Sequence, residues 1–250
     1  MLKSMNKVIA IASSKGGVGK TTIAINLAAA LVGFGRVSIV VDGDLQSPNV
    51  GMHLGAPSLP VTLHDVLRGD QPIEKSIYMH PSGVRVIPAS ISFKDSQHEF
   101  PQDVMMVVDA ARSHADMVLV DCPPGLGNES RSAIASSDSI LAVTTPDLVA
   151  VTDALKTIHL ARFLHKDVLG VVVNNMLPGS EVSLKDIASL LEVPVLTALP
   201  HTPAVPESLR IRHPVVFSHP DSLVSVRFKE LAALMVGDTY ISGLHKNKEL

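Results

Sequence analysis

The segment that most constrains this chain is Ser14-Lys15-Gly16-Gly17-Val18-Gly19-Lys20-Thr21-Thr22. It follows the apolar, β-branched run Val8–Ser13. After it, Ile23, Leu27, Ala28 and Leu31 fall on one helical face, which stops near Gly33 and Gly35. Three glycines between a strand and a helix permit positive φ angles, so the loop can turn its N–H groups inward. The helix opens its positive end toward the same point. The pattern therefore predicts a buried strand, a helix, and an anion site between them.

The rest of the chain repeats that alternation. Strands are expected at Val8–Ser13, Val37–Val41, Val84–Pro88, Met117–Asp121, Ile140–Thr144, Val168–Asn174 and Val195–Leu199. Helices are expected over the segment after the loop and at Val104–His114, Val149–Leu164, Leu184–Leu191 and Val224–Met235. Such a sequence predicts an α/β fold: one doubly wound, mostly parallel sheet with helices on both faces. A hydrophobic content of 46%, mostly Ala, Val, Leu and Ile, with no Trp, suits strands buried on both sides. Prolines are scattered and no Gly/Ser-rich or like-charge run divides the chain. A single domain over residues 1–250 is expected, with 238–250 as a tail.

Composition narrows the classes of function. A net charge of −3 offers no electrostatic footprint for nucleic acid or an anionic membrane. The lone Cys122 excludes an internal disulfide and points to a reducing cytoplasm. Met1 to Lys7 is too short and polar for a signal peptide, and no run of eighteen apolar residues suggests a membrane span. The eleven histidines form no pair or cluster with metal-ligand spacing.

The chemistry expected of the loop is phosphate binding. Backbone donors from Gly16, Gly17, Val18, Gly19, Lys20, Thr21 and Thr22 would cradle a triphosphate, Lys20 would neutralise its β- and γ-phosphates, and the Thr21 hydroxyl would reach Mg²⁺. Asp42-Gly43-Asp44 closes the second strand. By itself it reads equally as a turn, but beside a phosphate loop its carboxylates can approach Mg²⁺ and an attacking water, with Asp44 the candidate. Val118-Leu119-Val120-Asp121 is an apolar strand closed by an aspartate that could hold Mg²⁺ through water. Cys122, with no histidine placed nearby by sequence to activate it, reads as filler rather than a nucleophile.

The second lysine, Lys15, sets this loop apart: Lys-Gly-Gly-x-Gly-Lys-Thr is the deviant Walker A signature, and the chain resembles the MinD/ParA family of ATPases from Lys7 to about Gly237. Val61 to Asp70, Gly83 to Ala89 and Thr152 to Lys156 are similar to its archaeal-type and flagellar-number MinD-like branch. The resemblance implies ATP and Mg²⁺ as ligands, an ATP-bound homodimer, and a Lys15 that reaches the partner's phosphates. It further implies that Asp44 orients the water, that Asp42 braces its loop, and that Asn49 matches a family asparagine. In Cys122-Pro123-Pro124-Gly125, the Gly125 amide would meet the γ-phosphate. Asn174 would contact adenine, as would the loop opening at Pro200, although Thr202 stands where the family usually has an aspartate. Thr152 to Lys156 would lie on a partner-facing helix, so a regulatory protein partner is expected. The tail from Thr239 has few large apolar residues, which implies at most weak membrane association. Two other classes share this fold. A DNA- or cargo-partitioning ATPase would carry a basic surface, and the other class is a metabolic enzyme or a metallocluster reductase, the latter needing more than one bridging cysteine.

Overall fold

The computed structural model describes residues 6–96 and 103–240. Most of the expected tail, residues 241–250, lies outside the described residues. Eight strands form one sheet: β1 Lys7–Ala12, β2 Ser38–Asp42, β3 Tyr78–Met79, β4 Arg85–Ile87, β5 Met117–Asp121, β6 Ser139–Thr144, β7 Asp167–Met176 and β8 Val195–Pro200. Their spatial order is β3-β4-β2-β5-β1-β6-β7-β8. All neighbours run parallel except β3, which pairs antiparallel with β4 at the edge.

Period-2 alternation divides the central strands between two apolar layers. Val8, Ala10, Val118, Val120, Ile140 and Ala142 face helices Asp103–Arg112, Asn128–Ala135, Leu148–Phe163 and Leu184–Leu191. Ile9, Ile11, Leu119, Leu141 and Val143 face helices Lys20–Gly33 and Leu223–Val236. The expected α/β architecture is thus present.

Two local differences from the sequence reading have physical causes. The helix Lys20–Gly33 was expected to bury one face, yet every residue from Ile23 to Leu31 is buried, because Leu223–Val236 and the turn Val215–Ser218 cover its outer side. Within β7, Gly170 has φ +148, and a Cβ there would lie 2.6 Å from the Pro194 carbonyl oxygen. Only glycine fits this close approach, which coincides with a register shift between β6 and β7.

The fold places the site through its winding. From β1 the chain crosses to β2 on one side, whereas β6 returns to the other side of β1. The strand order therefore reverses at β1, and the carboxyl ends of β1, β2 and β5 border one crevice, where sheets of this type bind ligands.

Candidate functional site

The loop after β1 has the backbone its glycines predict. Gly17 and Gly19 have φ of +76 and +98, and Gly19 stands at the N-cap of helix Lys20–Gly33. A Cβ on Gly19 would meet the Asn174 side-chain nitrogen at 2.3 Å, so a larger residue would push Asn174 off the loop. Asn174 instead donates from Nδ2 to the Val18 carbonyl at 2.8 Å and fixes the loop from β7. On the opposite side, the Ser14 amide donates to Thr157 Oγ1 at 2.9 Å and Ser14 Oγ to the Asp153 carbonyl at 2.8 Å. The loop is thereby fastened to helix Leu148–Phe163.

A cavity of about 410 Å³ opens above it. Gly16, Gly17, Gly19, Lys20, Thr21, Thr22, Asp44 and Asp121 line it together, with Ser47, Asn49, His53, Cys122, Pro124 and Leu209. Lys20 is 7% exposed, and among the described residues its Nζ has one partner, the Lys15 carbonyl at a long 3.4 Å. Burial lowers its proton affinity, an effect opposed by Asp121, Cys122 and Asp44. It is an ammonium with unused donors beside an open anion-sized space.

Asp121 on β5 lies beside Lys20, and Asp42 on β2 stands opposite Asp121 in register, buried behind the cavity lining. Gly43 makes this approach possible: its amide donates to the Asp121 carbonyl at 2.9 Å, and a Cβ would stand 2.8 Å from that oxygen. Asp42 Oδ2 accepts from the amides of Asn49 and Val50, each at 3.0 Å, while its Oδ1 is buried with no hydrogen-bond partner among the described residues. Asp121 Oδ2 accepts from the Thr21 hydroxyl at 2.6 Å, and its Oδ1 is likewise buried and unpaired among the described residues. Asp44 turns its loop by accepting from the Ser47 amide at 2.8 Å. Burial raises its pKa, against the pull of the Ser47 amide, Lys20 and the Gln46 amide.

Burial raises Asp121 to about 7, opposed by Thr21 and Lys20 and reinforced by Asp44. Asp42 is also pushed well up, first by burial and then by Asp121. Such a pair shares its protons. The folded state keeps a proton that the unfolded chain releases near pH 4, so stability is lost as pH rises between those points. Without nucleotide or divalent cation, the contribution of Asp121 to stability should fall from about pH 4 to about pH 7, against the opposite trend of His53, His64 and His80, whose charged forms burial disfavours. Asp121→Asn should therefore tilt the pH slope of stability upward across this range. Urea midpoints across this range measure it; identical slopes would mean that Asp121 ionises like a free carboxyl.

The remaining expected residues lie around the cavity rather than in it. Lys15 points to its rim and pairs with Asp147 Oδ1 at 2.9 Å. Asp147 caps helix Leu148–Phe163 through the Ala150 amide and accepts from the Thr145 hydroxyl at 2.6 Å. Gly125, at φ +86, donates its amide to the Ser14 carbonyl at 2.8 Å. Val18 is buried beneath the loop. Pro200 ends β8, where the His201 amide donates to the Met176 carbonyl. Burial, with Asp121 adding to it, drives the Cys122 thiol far above its ordinary range, so it is no thiolate at neutral pH. Sequence reasoning missed His53, Leu209 and Asp147. Only Asp147 carried a signal, as a helix N-cap after Thr145-Pro146, and nothing local tied it to Lys15.

A parallel sheet whose first strand runs through a glycine loop into a helix, with a lysine and two strand-end aspartates converging on it, defines a P-loop nucleoside-triphosphatase fold. The chain belongs to the MinD/ParA family of P-loop ATPases. The AAA domain family matches residues 6–170. An uncharacterized ATP-binding protein of Methanocaldococcus jannaschii is 39% identical over 250 residues, which span 100% of this chain and 95% of that protein. The cell division ATPase MinD of Pyrococcus furiosus superposes with a TM-score of 0.89 at 33% identity, covering 93% of this chain and 99% of the other. The septum site-determining protein MinD of Pyrococcus horikoshii, solved as a complex with Mg-ADP, gives 0.87 at 31% identity over 91% and 95% of the two chains.

Proposed function

We propose that this chain is a single-domain switch that binds Mg²⁺ and ATP, dimerises in the ATP state, and reopens on hydrolysis so as to position a protein partner or cellular structure, as in cell division. The observation that carries the reading is the division of labour between two lysines: Lys20 lies inside the cavity, and Lys15 at its rim, held by Asp147 and about one-third exposed. One cation serves the protomer's own phosphates and the other is available to a second copy.

The cavity suits the ligand. Lys20 and the loop amides from Gly16 to Thr22 would hold the phosphates, and Thr21 and Asp121 would hold Mg²⁺, with Asp44 beside them. Among the described residues, no group of three His, Cys, Asp or Glu could hold a metal alone. That fits Mg²⁺, which takes one or two carboxylates and completes its shell with phosphate oxygens and water. The unpaired Oδ1 of Asp121 is where such a shell would find an acceptor. The P. horikoshii relative, bound to Mg-ADP, supports both ligands. Asp44 would orient the attacking water. Gly125 would release Ser14 to meet a γ-phosphate, and Asn174, its amide spent on Val18, would offer its side-chain oxygen to adenine near Pro200.

Output would pass through helix Leu148–Phe163. Ser14 and Lys15 are bonded to it, and its first turn exposes Leu148 and Val149 to a partner. Asp44→Ala should bind ATP normally, hydrolyse it slowly and accumulate as a dimer. Light scattering with MgATP, beside phosphate release, tests this. A wild-type protein that binds ATP yet stays monomeric, together with a monomeric Asp44→Ala, would overturn the switch reading.

A further inference from the structure

His53 closes the short helix Val50–His53 after the Asp44 turn, and it lines the cavity together with Asn49, Thr22 and Leu209. Its Nδ1 is buried and, among the described residues, has no hydrogen-bond partner. The ring is nonetheless held from both ends. Asp42 fastens the start of the helix through the Asn49 and Val50 amides, and Arg212 Nη1 donates to the Met52 carbonyl at 2.6 Å at its end. Arg212 also packs so closely on Gly55 that a Cβ there would lie 2.9 Å from its own.

A ring with one nitrogen sealed from water and from acceptors is cheapest when neutral, with its proton on the other nitrogen. Burial, and then the Arg212 charge, keep it neutral. What remains for a ligand is one Nε2–H donor on a fixed wall. Lys20, Thr21, Asp44 and Asp121, the groups read as serving the γ-phosphate and Mg²⁺, line the same cavity as Thr22, Leu209 and His53. The Arg212 bond to Met52 ties the end of the helix Ala204–Arg210, which carries Leu209, to the helix that His53 closes. We propose that His53 donates a hydrogen bond from Nε2 to the α-phosphate or ribose oxygens of the bound nucleotide, the portion common to ATP and ADP, and that Arg212 is the positioning residue holding its helix. This inference rests on the reading of the cavity as a nucleotide site.

The test is calorimetric titration of ATP and of ADP, each with Mg²⁺, into the full chain and its His53→Ala and His53→Gln variants. The lost hydrogen bond predicts that His53→Ala binds both nucleotides more weakly, by roughly fivefold where the acceptor is a ribose oxygen and by about tenfold or more where it is the α-phosphate. His53→Gln, whose side-chain Nε2 restores a donor at similar reach, should stay within about twofold of wild type. The melting temperatures without nucleotide should match. Unchanged affinity in His53→Ala overturns the proposal. So does a loss as large in His53→Gln, which would mean packing rather than donation, and so does a loss for ATP alone, which would place the ring at the γ-phosphate. Should the folded wild type bind neither nucleotide, the reading of the cavity itself fails, an outcome distinct from these three.

Discussion

Lys20→Ala should lose MgATP affinity by about two orders of magnitude or more, while the protein remains folded. The magnitude follows from what the ammonium has to do: charge-assisted hydrogen bonds to phosphate are each worth roughly 1.5–3 kcal/mol, and Lys20 can offer more than one. Folding should survive because the side chain contributes little to the empty protein. Its one hydrogen bond is a long one, and burial works against its charge. Removing it leaves the apolar layers of Ile23 and Leu27 intact. The loss of a neighbouring cation would also push the Asp121 carboxyl further up, since Lys20 is among the groups holding it down. Calorimetry with MgATP, alongside a thermal melt, tests the assignment. A folded variant that binds as tightly as wild type would show that the loop after β1 is not the phosphate site.

The sheet and the phosphate loop were legible for the same reason: both depend on short-range patterns. β5 was read with its observed bounds, Met117–Asp121, as was the helix Leu184–Leu191, because continuous apolar runs and helical period survive any arrangement of neighbours. The two-residue strand Tyr78–Met79 was missed. It exists only through its pairing with Arg85–Ile87, a partner no local signal names. The short helices Val50–His53 and Leu63–Leu67 were missed likewise. The first depends on Asp42 eight residues before Val50, and the second on a capping box between Thr62 and Asp65 in a segment read mainly as a resemblance. Around the cavity, residues marked by a glycine loop or a strand end were named, Asp44 and Asp121 among them, whereas those without such a local mark were not. Leu209 reaches the cavity from beyond β8, and Asp147 meets Lys15 across 132 positions. The Asn174 side chain shows the converse. Its place at a strand end was foreseen, but its bond to Val18 could come only from the packing of β7 behind the loop.

Lys15→Gln should spare ATP binding yet abolish both ATP-dependent dimerisation and hydrolysis. In the single chain, Lys15 is paired with Asp147, whose pKa burial would raise but whose bonds to Thr145, Ala150 and Lys15 hold it low. Asp147 is therefore ionised at neutral pH, yet with each side chain about one-third exposed the contact is worth at most about 1 kcal/mol. In the proposed ATP-bound dimer, a triphosphate brought by the second protomer would displace so weak a tie, because charge-assisted hydrogen bonds to phosphate are each worth roughly 1.5–3 kcal/mol. On the proposed reading, Asp147 would hold Lys15 only until the second protomer arrives. Asp147→Asn keeps a good N-cap for helix Leu148–Phe163 while freeing the lysine, so it should strengthen ATP-dependent dimerisation by roughly 2- to 5-fold per protomer. Light scattering with MgATP on Asp44→Ala, Asp44→Ala/Lys15→Gln and Asp44→Ala/Asp147→Asn separates the possibilities, with hydrolysis measured on the proteins that retain Asp44. Dimers are expected from the first, none from the second, and from the third at lower protein concentration than from the first. An ATP-bound dimer in the variant lacking Lys15 would confine that lysine to its own protomer. A weaker dimer in the variant lacking the Asp147 charge would assign the aspartate to the interface rather than to holding Lys15 back.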